Sequence, residues 1–197
     1  MGTTVIDLLR HGELEGGIKY RGNIEEALTI SGRRQMDGVW EQVGGSVQVI
    51  VSSPLSRCCE PAKEWAAKAA VPCVVEPRMR EMEYGAWEGL SKDEIEAEFP
   101  GMLAQWRMNP VGMQIPGAED LEGFVERVQE GWRHILQENE GRHVVLVGHS
   151  GSLRVIVADV LGAPLPAIRK FSMPYGCWNR VQCNDGKMLL EFFNRQL

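Results

Sequence analysis

A chain of 197 residues is ample for one domain with a proper hydrophobic core and tight for two. Hydrophobic residues at 44% and charged residues at 24% are ordinary for a globular protein, and a net charge of −6 argues against a general nucleic-acid binder, which needs a basic face. The longest apolar runs, such as Val144–Val147, are far too short to span a bilayer, and the five cysteines are spaced like neither a zinc site nor a disulfide framework.

Val5–Leu9 is a short, β-branched apolar run that predicts a first strand, with no signal-peptide pattern ahead of it. Val47–Val51 predicts a second strand, and Leu55, Cys58, Cys59, Ala62, Ala66 and Ala69 mark one face of a following helix. Val71–Val75 predicts a third strand. The stretch 78–118, interrupted by Pro100, Pro110 and Pro116, is the least regular and is the candidate lid or insertion. Within it, Ser91 and Glu94 form a capping box that opens a helix. Leu121, Phe124, Val125, Val128, Trp132, Ile135 and Leu136 predict a longer helix, and His143–Val147 a fourth strand. The tail from Phe171 to Phe193 predicts an edge hairpin around Asn184-Asp185-Gly186. The strands are hydrophobic throughout, as where both faces are covered. The expected architecture is an α/β fold, three layers of helix, mainly parallel sheet and helix, in a single domain spanning 1–197.

Three strand ends carry reactive side chains. Arg10-His11-Gly12 leaves the first strand where ligands bind in an open parallel sheet, and Gly12 lets the backbone turn there. Ser52-Ser53-Pro54-Leu55-Ser56-Arg57 leads from the second strand into a helix N-terminus, which favours an anion. Gly148-His149-Ser150-Gly151 repeats the strand, glycine turn and helix arrangement after the fourth. Each alone has an ordinary structural reading. Together they form a basic cluster suited to a phosphoryl group.

These segments, with Arg80-Glu81-Met82-Glu83-Tyr84-Gly85-Ala86-Trp87-Glu88-Gly89 between them, occur in the order found in the histidine phosphatase superfamily, which the chain resembles along nearly its whole length. That resemblance implies a phosphoglycerate mutase-like fold. Gly16-Gly17-Ile18-Lys19-Tyr20-Arg21-Gly22, Cys58 after Arg57, and Gly176-Cys177-Trp178 are similar to bacterial α-ribazole-5′-phosphate phosphatases of cobalamin nucleotide-loop assembly.

By the resemblance, His11 is the nucleophile and forms a phosphohistidine. Arg10 and Arg57 neutralise the phosphoryl oxygens, His149 completes the clamp, and Glu81 carries the proton, with Glu83 and Glu13 as competitors. Gly12, Gly148 and Arg21 are further expected substrate contacts. Leu14 and Gly17 replace two polar phosphate contacts common in the family, and backbone N–H groups around Gly16 and Gly17 are the expected substitutes. Lys19, Tyr20, Trp87 and Trp106 are softer candidates, the tryptophans for stacking on a heteroaromatic base; the ordinary readings are a solvated loop for Lys19, Tyr20 and Arg21 and core packing for Trp87 and Trp106. No cofactor and no metal is expected. The expected partner is a small-molecule phosphate ester, with no nucleic acid and no membrane; a homodimer is left open, and the expected compartment is the cytoplasm. The alternatives are a broad-specificity sugar or nucleotide phosphatase, a phosphoglycerate-type mutase and a non-catalytic phosphate-binding or interaction module. A serine hydrolase built on Ser150 fails, because no histidine follows His149.

Overall fold

The computed structural model describes residues 2–197. Its six-stranded sheet has the order β3-β2-β4-β1-β5-β6. These are β1 (Thr4–Arg10), β2 (Val49–Ser52), β3 (Cys73–Val75), β4 (His143–Gly148), β5 (Trp178–Asn184) and β6 (Lys187–Arg195). The first four pair in parallel, while β5 runs antiparallel to β1 and β6 antiparallel to β5. The predicted hairpin is therefore present, but only β6 is an edge; β5 lies inside the sheet against β1.

Alternation along the central strands divides the core in two. Ile6, Leu8, Val144 and Leu146 face one layer, built on α5 (Leu121–Glu138) and α6 (Ser150–Val160). Leu9, Ile50, Val145 and Val147 face the other, built on α1 (Ile30–Val43) and α2 (Ser56–Ala69). Both faces are covered, which is why these strands read as unbroken apolar runs. The stretch 78–118 contributes α3 (Lys92–Glu98) and α4 (Met102–Met108), and the Ser91–Glu94 capping box opens α3 as expected. Trp87, Ile95, Leu103, Trp106 and Ile115 pack into the same cluster as α5 and α6.

One polar group breaks the apolar pattern. Asp7, fully buried in β1, accepts from Trp178 Nε1 at 2.6 Å, Arg180 Nε at 2.8 Å and His143 Nε2 at 2.7 Å. Burial pushes its carboxyl up, but these partners more than offset that and hold it below the usual carboxylate value. The network joins β1, β4 and β5 below the strand ends.

Candidate active site

Because β2, β4 and β1 are neighbours, their carboxyl ends deliver Ser53, His149 and His11 to one place, and Arg57 reaches it from the first turn of α2. Gly12 is required at the exit of β1, where a Cβ would stand 1.9 Å from Gly32 O at the start of α1. Thr29 caps that helix, accepting from Gly32 N at 2.8 Å. The loop after His11 is thereby clamped against α1.

His11 is 5% exposed, and its ring lies 5.2 Å from that of His149 between centroids. Its backbone is fixed on both sides: His11 N donates to Gly148 O at 3.0 Å, and His11 O accepts from Gly176 N at 3.2 Å. The imidazole Nδ1 is 2.9 Å from Gly12 O. A carbonyl only accepts, so Nδ1 holds the proton and the Nε2 lone pair is left free. Burial first, then the charges of Arg10 and Arg57, hold the His11 pKa well below its ordinary value of 6.5. A neutral ring with one unprotonated nitrogen is a competent nucleophile.

His149 is also buried and neutral, for the same reasons of burial and the neighbouring Arg57. Arg57 Nε donates to its Nδ1 at 3.3 Å, so its Nε2 carries the proton and donates to Ser53 Oγ at 2.6 Å. Cys58 Sγ packs 3.7 Å from the same ring and, with its four fellow cysteines, is a free thiol. Arg57 is 2% exposed; its Nη1 and Nη2 donate to Ile24 O and Gly22 O, both at 2.8 Å. Each of those nitrogens keeps one further N–H. Arg57, His149 and Arg10 thus all adjoin His11, and of the three Arg10 lines the cleft described next. Arg10 donates to Met173 O and lies with its guanidinium carbon 4.0 Å from the centre of the Tyr175 ring.

In front of His11 opens a cleft of about 620 Å³, with Arg10, Tyr20, Glu81, Arg154, Arg169 and Tyr175 among its walls. Glu81 is 5% exposed, and its two oxygens accept from Gly151 N at 2.9 Å and Met82 N at 3.1 Å. Glu83 points elsewhere, holding Arg80 at 3.1 Å and Asn23. Glu13 is exposed beside Thr29. Of the three carboxyls considered, Glu81 alone shares the cleft with His11.

Other expectations meet a different arrangement. Arg21 lines the cleft but gives Nη1 to Gly17 O and Nη2 to Glu15 O, both at 2.8 Å, and pairs with Glu26. Its donors hold its own loop together. Gly16 and Gly17, at φ 74° and 79°, supply the left-handed turns of that loop and are not among the cleft walls. Gly148 serves through its carbonyl, which holds His11 N. Trp87 and Trp106 are buried in the core, so neither offers a face for stacking; Tyr20 and Tyr175 are the aromatic walls.

Arg154 and Arg169 escaped the sequence reading. Arg154 stands one helical turn past Ser150 on α6, and both line the cleft; Arg169 ends a 3₁₀ turn, Leu165–Arg169, whose position only the fold reveals.

The buried imidazoles have a pH consequence. A ring whose folded-state pKa is depressed binds fewer protons folded than unfolded, so its contribution to stability is complete above about 6.5 and is lost as the pH falls below that. In a histidine-resolved NMR titration, His11 and His149 are expected to keep neutral-ring shifts from pH 8 to below 6.5. A midpoint at or above 6.5 for His11 would contradict the burial argument.

Residues 6–196 match the Histidine phosphatase superfamily (branch 1). The Adenosylcobalamin/alpha-ribazole phosphatase of Escherichia coli is 26% identical over 191 residues, covering 95% of this chain and 94% of that protein. The Probable phosphoglycerate mutase GpmB of Proteus mirabilis is 31% identical over 190 residues, covering 92% of this chain and 86% of that one. In fold, the chain is similar to the Alpha-ribazole Phosphatase from Shigella flexneri, with a TM-score of 0.86 at 22% identity over 97% of this chain and 96% of that one. A family match that runs from the first strand to the last, over the fold and the strand-end residues described above, has one meaning: the chain belongs to the histidine phosphatase superfamily.

Proposed function

We propose that this protein is a phosphomonoester hydrolase that works through a phosphohistidine on His11. The observation that carries the reading is the Nδ1–H of His11 held by Gly12 O, which leaves Nε2 unprotonated on a residue that lines the same cleft as Glu81. Nε2 attacks phosphorus in line, the P–O ester bond breaks, and Glu81 gives its proton to the departing oxygen. Water then attacks the phosphohistidine, Glu81 takes up its proton, and the P–N bond breaks. Arg10 and the remaining N–H groups of Arg57 receive the phosphoryl oxygens, with His149 beside them, and so stabilise the charge that spreads there in the transition state.

The narrower expectation, α-ribazole 5′-phosphate in cobalamin nucleotide-loop assembly, is supported by the names of similar proteins and by the Tyr20 and Tyr175 walls, which suit a heteroaromatic ring. The test is inorganic phosphate release, in EDTA, from α-ribazole 5′-phosphate, 3-phosphoglycerate and a nucleoside monophosphate. Preference for the first by about a hundredfold supports the cobalamin reading. Equal, slow cleavage leaves a broad phosphatase. Conversion of 3-phosphoglycerate to its isomer without phosphate release indicates a mutase, and binding without turnover a non-catalytic module.

A further inference from the structure

Glu81 is carried by a stretch with no regular structure of its own. Residues 80–84 lie between the 3₁₀ turns Pro77–Met79 and Gly85–Trp87 and belong to no helix or strand. A proton donor displaced by about 1 Å loses much of its effect, so this stretch must be fixed by something outside it. At the side chain, Gly151 N holds one carboxyl oxygen at 2.9 Å, and a Cβ on Gly151 would stand 2.2 Å from the other. Met82 N holds that second oxygen but moves with the stretch itself.

The backbone anchor is Arg127 on α5. Its Nη1 donates to Arg78 O at 2.8 Å and to Arg80 O at 3.2 Å, and its Nη2 donates to Glu81 O at 3.4 Å. Its Nε and Nη2 also donate to the two carboxylate oxygens of Glu119, at 2.8 and 2.7 Å. Every N–H of the guanidinium is thus engaged. Among the described residues, Arg80 O and Glu81 O accept from no backbone N–H. Glu119 grips the far end of the stretch: its N donates to Glu83 O at 3.1 Å, and its Oε2 accepts from Glu83 N at 3.4 Å.

Neither Arg127 nor Glu119 lines the cleft. Their side chains are only 17% and 14% exposed, and for so enclosed an ion pair desolvation offsets much of the attraction, which makes it a poor source of stability. What a rigid, planar fork supplies is direction, since its donors set where the carbonyls stand.

We propose that Arg127, braced by Glu119, is a positioning residue for the proton donor: it fixes the backbone of Glu81 so that the carboxyl meets the leaving oxygen in the cleft. This rests on the hydrolase reading for the role of Glu81, and it gives α5 a part in a reaction that α5 does not touch.

Leaving groups test it. In Arg127→Met, kcat/KM for glycerol 3-phosphate is expected to fall by about 100-fold, the effect of a misplacement of about 1 Å. For 4-nitrophenyl phosphate, whose phenolate departs without a proton, it should stay within about threefold of wild type. In a Glu81→Gln background, Arg127→Met should cause no further loss on glycerol 3-phosphate, because groups that act as one unit are not additive. Arg180→Met, which breaks the ion pair to buried Asp7, is the folding control: Tm falls and the ratio between the two esters does not change. Should Arg127→Met fail to fold, Glu119→Gln keeps one acceptor for the guanidinium and should shift the ratio the same way, by about tenfold.

The Gly151 amide reports where Glu81 stands without any turnover. Its NMR shift and hydrogen-exchange protection should move in Arg127→Met, or in Glu119→Gln, as they do in Glu81→Ala, and should stay at wild-type values in Arg180→Met. Equal losses on both esters, losses that multiply with Glu81→Gln, or an unmoved Gly151 amide would overturn the assignment. Wild-type protein that hydrolyses neither ester, in which the Gly151 amide still answers to Arg127, sinks the hydrolase reading and keeps Arg127 as the residue that places Glu81.

Discussion

Alanine at position 11 is expected to reduce kcat/KM for every phosphate ester by about 10,000-fold or more, the scale of losing a nucleophile. The same variant should yield no acid-labile, base-stable phosphate on the protein after mixing with substrate, whereas wild type quenched during turnover should. The backbone of residue 11 is held by Gly148 and Gly176, and neither bond uses the side chain. The strand end therefore persists, and circular dichroism and Tm should stay close to wild type. This separates chemistry from folding. A His11→Ala protein that retained a tenth of wild-type activity would show that another group attacks phosphorus.

Glu81→Gln should show a split that depends on the leaving group. With an alkyl phosphate, whose departing oxygen needs a proton, kcat/KM falls by about 100- to 10,000-fold, the usual contribution of a general acid. With 4-nitrophenyl phosphate the leaving phenolate needs none, so the first step survives. The second step still lacks its base. Rapid mixing should therefore give a burst of nitrophenolate close to one per active site, followed by slow turnover and a standing phosphohistidine. Glu83→Gln is the control, since Glu83 faces Asn23 and Arg80 rather than the cleft. An equal loss on both esters, with no burst, would mean that Glu81 acts only by holding Gly151 N at the start of α6.

Much of this arrangement was legible in the residues, because it follows local rules. Strands covered on both faces show as short apolar runs, and the strands that carry His11, Arg57 and His149 are of that kind. The Ser91–Glu94 box is a local signal for a local structure. What escaped is what depends on distant packing. Trp87 and Trp106 could in sequence either stack on a substrate base or fill the core, and only the packing of the whole cluster places both in the core. Arg21 looks like a ligand contact, but the turns at Gly16 and Gly17 fold its loop back onto its own guanidinium. Arg154 and Arg169 carry no motif. Only the fold brings Arg169 to the cleft beside Arg154. The strand bounds shifted by a residue or two, as hydrogen bonding rather than hydrophobicity sets them.

The strand order has a kinetic side. β4 is inserted between β1 and β2, so Arg10 comes to lie opposite Gly148 only after the chain as far as residue 148 has been recruited. The earlier strands β1 and β2 have no hydrogen-bonded contact of their own to hold them in register. Their spacing is created by a segment that leaves the ribosome much later. Closing so long a loop is entropically slow, and parallel pairing cannot start from a tight turn. His11 and Ser53 therefore have no defined geometry in any partly folded chain that lacks β4. Such a chain holds the nucleophile but not the neighbours that keep its ring neutral and oriented. The strand-end geometry that phosphoryl transfer needs arrives with β4, and the contacts of Met173 and Gly176 to Arg10 and His11 follow with the segment that leads into β5.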